Sequence, residues 1–205
     1  MSVNHVEVLV EEPSAEAALH LLLPRILGDV ATFAIYPHSC KDELLTRLPE
    51  RLRGYASWLP PDWRIVVIVD RDDDDCSELK RQLEQMARDA GLSTRTSRAQ
   101  EIQVVNRLAI EELEAWFFGD WEAVRGAYPR VNAHIPQQAR YRAPDAIRGG
   151  TWEAFERVLK NAGYFQTGLR KIEAARAVAA HMAPERNTSP SFRALHAALT
   201  QMVQA

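Results

Sequence analysis

The segment WRIVVIVD, residues 63–70, is the feature that most restricts the fold of this chain. It is a continuous run of mainly β-branched apolar residues, which is the composition of a strand buried on both faces. Such a strand belongs inside a parallel sheet that is covered by helices on its two sides. We therefore expect this segment to be a central strand of an α/β protein.

The segments around this strand alternate between strand and helix patterns. Further strands are predicted in HVEVLVE, VATFAIYP and EIQVVNRLAI. Helical periodicity is found in PSAEAALHLLLPRIL, with Ser14 as its predicted N-cap, in CKDELLTRLPERLRGYASWL, and in SELKRQLEQMARDAG, which Gly91 is well placed to end. This alternation predicts a Rossmann-like, mostly parallel sheet sandwiched by helices.

The second half of the chain has helical patterns only. They are YRAPDAIRGGTWEAFERVLKNAG, LRKIEAARAVAAHM and SPSFRALHAALTQMV, and in the last of these Ser189 and Pro190 form a typical N-cap and first helical position. A chain of 205 residues is long enough for one sizeable core. We therefore expect an α/β core at residues 1–124 and a helical C-terminal extension, residues 125–205, packed on it.

Charge is distributed unevenly between these two parts. Residues 1–124 hold 13 basic and 23 acidic side chains, a net charge of −10, whereas residues 125–205 hold 12 basic and 5 acidic ones, a net charge of +7. Two interpretations stay open. The acidic part binds a metal while the basic part binds a polyanion, or the two parts attract each other across a packed interface.

Two compositional features bear on the location of the protein. No apolar stretch approaches the roughly 20 residues needed to span a bilayer, and the N-terminus has no basic-then-apolar leader. The only two cysteines, Cys40 and Cys76, are too few for a disulfide framework. We therefore expect free thiols, no membrane partner and a cytoplasmic location.

Acidic residues follow two of the predicted strands. Glu11 and Glu12 come after the first strand, and DRDDDD, with five carboxylates in six positions, ends the third. Asp70 and Asp72 are two apart, so on an extended chain they share a face and can hold one Mg²⁺ or Mn²⁺. They also lie at the carboxyl end of a parallel strand, where ligands bind. For residues 73–75 the simpler interpretation is an acidic cap of the next helix.

A third acidic group lies in EELEAWFFGD, which has the spacing of a helix. Either Glu112 or Glu114 is a candidate for a further metal ligand. The alternative is that these acids complement the dipole at the N-terminus of that helix. The sequence does not decide between these two interpretations.

The segments VLVEEPSAEAAL, VVIVDRDDDDC and EELEAWFFGD resemble the motifs of TOPRIM-like proteins, the catalytic module of primases, type IA and II topoisomerases and overcoming-lysogenization-defect nucleases. Together with RGGTWEAFERVL, KIEAARAVA and SPSFRAL, their order is similar to that of a bacterial TOPRIM-like family of unknown function over nearly the whole chain. Members of that family are often encoded beside ABC-type ATPases, an arrangement typical of phage-defence modules.

The resemblance implies a set of site residues. The family glutamate falls on Glu11, the DxD pair on Asp70 and Asp72, and a later acidic pair on Glu112 and Glu114. These five residues are the predicted metal ligands, and the first three are the predicted catalytic residues.

This chain departs from the family pattern at one position. The glycine that usually follows the first glutamate is replaced here by Glu12, which adds a carboxylate, and Asp74 is a further candidate acid. The sequence shows neither the tyrosine domain of the topoisomerases nor the zinc module of the primases. A nuclease-like activity is therefore the expectation.

The expected chemistry is metal-dependent hydrolysis of nucleic-acid phosphodiesters, in DNA or RNA. Asp70 and Asp72 would hold Mg²⁺ or Mn²⁺, and Glu11 would act as general base or bridge to the same ion. The basic residues predicted to meet the nucleic acid are Lys41, Arg148, Lys171 and Arg193, and for each of them a surface or salt-bridge role is the alternative. The alternative is a catalytically silent TOPRIM-like protein that acts as the interaction partner or regulator of an ABC-type ATPase.

Overall fold

The computed structural model describes residues 2–97 and 101–204. It contains a four-stranded parallel sheet with the strand order β2-β1-β3-β4. The strands are β1 (His5–Val10), β2 (Thr32–Pro37), β3 (Trp63–Asp70) and β4 (Val104–Ala109). The prediction of an α/β fold with a parallel sheet is confirmed, and β3 coincides with the predicted segment at both of its ends.

Strand β3 lies between β1 and β4, and every residue of it after Trp63 is buried. Its side chains alternate between the two sides of the sheet. Val66 and Ile68 enter one hydrophobic cluster, whereas Ile65, Val67 and Val69 enter the other. A continuous apolar run was therefore needed, because both faces of this strand are covered.

Helices cover the two faces of the sheet. Their bounds are α1 (Pro13–Leu27), α2 (Lys41–Trp58), α3 (Cys76–Asp89), α4 (Glu114–Gly119), α5 (Trp121–Ala127), α6 (Thr151–Asn161), α7 (Lys171–His181) and α8 (Pro190–Gln204). Helices α2 and α3 bury their apolar faces in one cluster, and the remaining helices contribute to the other. The predicted helical C-terminal part is thus confirmed, and the helix predicted in EELEAWFFGD is α4.

Two predicted helix ends agree with the structure. Ser189 Oγ accepts a hydrogen bond from the amide of Phe192, at 3.3 Å, so Ser189 caps α8 and Pro190 is its first residue. Helix α3 ends at Asp89, and Gly91 follows with a φ of 81°, the left-handed conformation that favours glycine.

Two other predictions were wrong in detail. Helix α1 begins at Pro13 after Glu12, and Ser14 is not its N-cap; its hydroxyl donates to the Glu12 carboxylate. The helix predicted from residue 141 begins only at Thr151. Before it, Gly149 and Gly150 have φ values of 77° and 78°, which a continuous α-helix does not permit.

Helices α1 and α7 pack side by side. In the last turn of α1, the Arg25 guanidinium donates hydrogen bonds to the carbonyls of Ala179, Ala180 and Met182, at 2.7–2.8 Å. Arg25 thereby supplies donors to carbonyls at the end of α7, where helical amide partners run out. One hydrophobic cluster contains residues from both sides of the expected boundary after residue 124, which falls within α5. The division into core and extension stays a prediction.

In the described ranges of the chain, no helix combines the length and the apolar character needed to cross a bilayer. The absence of a membrane partner and the cytoplasmic location stay predictions. Cys40 and Cys76 are both free and exposed, as expected.

Candidate metal centre

The carboxyl ends of all four strands meet at one edge of the sheet because the strands are parallel. Six carboxylates from three strand ends occupy this edge, and their charges act on one another. We call this group the acidic site, and its members are Glu11, Glu12, Asp70, Asp72, Glu112 and Glu114.

Glu11 and Asp70 form the centre of the acidic site. Asp70 is the last residue of β3 and is 8% exposed. Its backbone amide donates a hydrogen bond to Glu11 Oε2 at 3.0 Å, which ties the residue after β1 to the end of the neighbouring strand. The structure therefore brings together two of the three predicted catalytic residues.

Burial and mutual repulsion raise the pKa values of both groups. Burial raises the pKa of Glu11 to about 7, against the opposing effect of the Asp70 amide, and the Asp72 charge adds to the rise. The pKa of Asp70 lies well above its usual value because the group is buried and faces Glu11 and Glu114. Carboxylates in such a field are stabilised by a bound cation.

Glu114 extends the acidic site from the first turn of α4. It is 2% exposed, and burial raises its pKa to about 8 although the charge of Lys171 acts in the opposite direction. Among the described residues, none provides a hydrogen-bond partner for the buried Glu114 Oε2. Buried carboxylate oxygens are rarely left without a partner, so this atom suggests a ligand position.

The backbone around Asp72 is strained. Asp72 has a φ of 49°, and its amide donates to the carbonyl of Glu111 at 2.9 Å. Glu111 itself has a φ of 61°, and its carboxylate pairs with Arg71. Two adjacent strand ends thus hold non-glycine residues in the left-handed region, a feature that is common at functional sites.

Lys41, the first residue of α2, neutralises part of the acidic site. Its Nζ lies 2.6 Å from Asp72 Oδ2 and 2.9 Å from Asp74 Oδ2, and it donates to the Arg71 carbonyl at 3.1 Å. Burial opposes the charge of Lys41, but the hydrogen bonds to Asp72 and Asp74 outweigh it and raise its pKa. Lys41, predicted to meet nucleic acid, is therefore engaged by two of the predicted acids.

The remaining aspartates of the run act separately from the acidic site. Asp75 Oδ1 accepts from the amide of Glu78 at 2.8 Å and caps α3. Asp73 is exposed. The interpretation of residues 73–75 as a helix cap thus holds for Asp75, whereas Asp74 forms an ion pair with Lys41.

Glu112 connects the acidic site to the N-terminus of α6 by hydrogen bonds. Its Oε2 accepts hydrogen bonds from the Thr151 amide, the Thr151 hydroxyl and the Trp152 amide, at 2.9–3.0 Å. Burial raises the pKa of Glu112, and the Trp152 amide opposes this rise. One oxygen of Glu112 is thus committed to a helix N-terminus, and its role as a metal ligand stays a prediction.

Lys171 reaches the acidic site from the first turn of α7. Its Nζ lies 3.7 Å from Glu12 Oε2 and 5.4 Å from the centroid of the Trp152 ring. Burial opposes its charge, but Glu114 and Glu12 outweigh this and raise the pKa of Lys171. The C-terminal part of the chain therefore supplies a cation to the site formed by the strand ends.

The other two predicted basic residues, Arg148 and Arg193, are exposed. Arg193 lines a shallow cavity with Pro190 and His196 on α8. Within residues 2–97 and 101–204, no ion pair joins either arginine to a carboxylate of the acidic site.

The donor atoms of the acidic site suit a hard divalent cation. They are carboxylate oxygens, the ligands that Mg²⁺ and Mn²⁺ prefer, and the unpartnered Glu114 oxygen is available to one. As the side chains are placed, no three acidic, histidine or cysteine residues in the described parts of the chain form a ready metal cluster. Ion binding would therefore need side-chain rearrangement, first of all the release of Asp72 by Lys41.

Sequence reasoning missed one part of the site, the pairing of Arg71 with Glu111. The ion pairs of Lys41 and Lys171 with the acids correspond to the salt-bridge alternative that the sequence left open for these lysines. The −10 and +7 net charges of the two parts were the available signal for the Lys171 contact.

Comparison with known proteins gives a family but no function. A family model described as a domain of unknown function, DUF4276, matches residues 10–200, which include the whole acidic site. No curated protein matches the chain significantly, and neither does any solved structure.

Proposed function

The chain belongs to the DUF4276 family, a domain of unknown function, and from the chemistry of its acidic site we propose that it is a divalent-metal-dependent phosphodiesterase acting on nucleic acid. One observation carries this proposal. Glu11, Asp70 and Glu114 are crowded at the carboxyl edge of a parallel sheet with raised pKa values, and Glu114 keeps a buried oxygen without a partner in the described structure. A site of this kind is incomplete without positive charge.

Mg²⁺ or Mn²⁺ is the cofactor that fits these residues. We propose Asp70, Asp72 and Glu114 as the ligands, with Glu112 contributing its second oxygen and Glu11 beside them as the general base. A bound ion would stabilise the charge that develops on a phosphate and lower the pKa of a water molecule. Glu12 lies between the ligands and Lys171, where it orients the lysine by the 3.7 Å ion pair.

The residues of the site provide the other requirements of hydrolysis. Glu11 Oε2 accepts a hydrogen bond from the Asp70 amide at 3.0 Å and so lies beside the proposed ligands, where its carboxylate is suited to act as the general base. In the proposed reaction the oxygen of water bonds to phosphorus and Glu11 takes the proton of that water. The ester P–O bond breaks with its electron pair on the leaving oxygen, which takes a proton from solvent. The low exposure of Asp70 and Glu114 strengthens these electrostatic effects.

The choice of nucleic acid as substrate rests on the TOPRIM resemblance. We propose that the chain is TOPRIM-like, with Glu11 as the first acid and Asp70 and Asp72 as the DxD pair. The parallel sheet is compatible with this, because it brings the ends of β1 and β3 together. We further propose a role beside an ABC-type ATPase in phage defence, which is supported by the resemblance alone.

A second candidate function is favoured by one contact. Lys41 already neutralises Asp72 and Asp74, at 2.6 and 2.9 Å. If this pairing is permanent, the protein is a catalytically silent partner or regulator of an ATPase, and the lysine replaces the cation. The two functions differ in whether a divalent ion displaces Lys41.

The test combines stability with cleavage. We expect Mn²⁺ or Mg²⁺ to raise the melting temperature in a concentration-dependent manner, because an ion that binds only the folded state stabilises it by mass action. We also expect cleavage of plasmid, single-stranded DNA or tRNA that EDTA abolishes. Ion-dependent stabilisation without cleavage, even after addition of an ATPase encoded beside the gene, would favour the silent partner. The absence of both effects would contradict the metal site.

Replacement of Lys41 by methionine measures how strongly Lys41 and a divalent ion compete for Asp72. We expect Lys41→Met to tighten Mn²⁺ binding by about tenfold, because a competing partner worth on the order of 1 kcal/mol is removed from Asp72. Isothermal titration calorimetry gives the affinity. Lys160→Met is the control, since Lys160 forms an ion pair of similar length, 3.0 Å, with Glu156 on α6. Equal affinities in the Lys41→Met variant and the wild type would show that Lys41 and the ion do not compete.

A further inference from the structure

An open groove lies along α7, directly beside the acidic site. It has a volume of about 830 Å³, and its surface is mainly apolar. Leu169, Ile172 and Ala177 form much of this apolar surface. Ile172 is 46% exposed, which is unusual for a large aliphatic side chain, and we call this depression the α7 groove.

Basic side chains surround the α7 groove. Arg170, Lys171 and Arg176 line it, against a single acid, Glu173. Arg170 pairs with Glu173 at 2.8 Å and Lys171 pairs with Glu12 at 3.7 Å, so the exposed Arg176 supplies the net positive charge of the groove. Residues 125–205, to which α7 belongs, carry a net charge of +7. An apolar surface bordered by cations is complementary to a ligand with apolar faces and negative charges.

Lys171 connects the α7 groove with the acidic site. It lines the groove, and its Nζ lies 3.7 Å from Glu12 and is held by the charges of Glu114 and Glu12. A ligand that occupies the groove and contacts Lys171 is therefore directly beside the carboxylates. The groove and the acidic site form one continuous surface through this residue.

We propose that the α7 groove binds a single-stranded segment of nucleic acid and directs its backbone to the acidic site. This inference rests on the proposed function and specifies its substrate class. In a duplex the apolar faces of the bases are stacked on one another and only phosphates and base edges face the protein, so the apolar groove would have no ligand. In a single strand the bases are free to lie on Leu169 and Ile172. Arg176 then contacts a phosphate, and Lys171 lies between this part of the strand and the acidic site.

Binding is measured on the Asp70→Asn variant, in which the proposed cleavage is blocked. The probe is a fluorescein-labelled oligonucleotide, as DNA and as RNA, alone or annealed to its complement, followed by anisotropy. We expect the single strand to bind more tightly than the duplex, and the DNA and RNA arms to show which sugar is preferred. Ile172→Glu should weaken single-strand binding about tenfold, because base contacts of this kind contribute about 1–3 kcal/mol each.

Matched variants separate the groove from general charge effects. Val30→Glu introduces the same charge at a residue that is 56% exposed and lies before β2, at the opposite edge of the sheet, and it should leave binding unchanged. Arg176→Ala should reduce the slope of log affinity against log salt by about 0.7, the value for one phosphate contact on a single strand. Arg53→Ala, at an exposed position of α2, should not change it.

The inference is overturned if the duplex binds as tightly as the single strand, or if Ile172→Glu and Val30→Glu have equal effects. It is also overturned if Ile172→Glu leaves oligonucleotide binding unchanged but lowers the sedimentation coefficient of the protein. That result would show that the groove binds a second copy of the chain. Failure of the proposed function is a separate result. In that case wild type cleaves no substrate with Mn²⁺, while single-strand binding by the Asp70→Asn variant persists.

Discussion

Asp70→Asn is expected to abolish metal-dependent cleavage, with a loss of about 10³-fold or more. Asp70 lies at the centre of the acidic site, 8% exposed and bonded through its amide to Glu11. Loss of a ligand removes much of the several kcal/mol that a metal ion contributes to the transition state, and about 4 kcal/mol corresponds to a factor of 10³. The initial rate of cleavage with Mn²⁺, at equal protein concentration, is the measurement.

The same substitution should leave the cation-free protein folded. An amide in place of Asp70 removes a charge that Glu11 and Glu114 oppose, so we expect the free energy of unfolding in EDTA to stay within about 1 kcal/mol of wild type. The control is Asp73→Asn, an exposed position three residues along the same acidic run. If Asp70→Asn cleaves as fast as Asp73→Asn, the cleavage comes from another site or from a contaminant.

A second large effect is expected from pH. Without divalent ions, the free energy of unfolding should fall by several kcal/mol, at most about 6 kcal/mol, between pH 5 and pH 8. The pKa values of Glu11 and Glu114 rise from 4.5 to about 7 and about 8 in the folded protein, so this state binds more protons than the unfolded chain in that window. The stability that these protonated groups supply is fully present at a pH below their pKa in the unfolded chain. It is lost as the pH rises through their higher pKa values in the folded protein. Urea unfolding in EDTA at a series of pH values measures it.

Other titrating groups do not cancel this slope. The pKa values of Lys41 and Lys171 are raised above 10.5, so their contribution is lost only at higher pH. The pKa of Glu84 is lowered below 4.5, mainly because hydrogen bonds from Thr94 and Asn106 outweigh burial, so its contribution is lost only in acid. Both effects lie outside the window from pH 5 to pH 8.

Addition of Mn²⁺ and one substitution check the origin of the pH effect. Saturating Mn²⁺ should remove most of the slope, because the ion replaces the protons on the carboxylates. Glu114→Gln should reduce the slope in EDTA, whereas Glu185→Gln, at an exposed position, should not. A free energy of unfolding that is constant or rises from pH 5 to pH 8 would contradict the electrostatics described for the acidic site.

The sheet and the location of the acids were predictable from the sequence. The β-branched run of β3 is long and uniform enough to fix both ends of the strand, from Trp63 to Asp70. Once the strands are taken as parallel, the acids after β1 and β3 must lie at one edge. The hydrogen bond from the Asp70 amide to Glu11 agrees with this expectation.

Features that depend on long-range packing were not predictable. Helix α6 was placed ten residues too early, because the apolar spacing before Thr151 is helix-like while Gly149 and Gly150 turn the chain. The approach of Lys171 to Glu12 spans most of the chain and is set by the packing of α7 on α1. The left-handed backbone of Asp72 is imposed by its bond to Glu111, a partner on another strand end.

The pairing of α1 with α7 has a consequence for how the chain tolerates insertions and deletions. The two helices run in the same direction and are joined at both ends, by Lys171 with Glu12 at their starts and by Arg25 with the carbonyls of residues 179–182 at their finishes. One residue added to either helix would turn its far end by about 100° and displace it by about 1.5 Å, which breaks one of the two attachments. In other members of the family, length changes should therefore fall in the connecting segments or occur in both helices together.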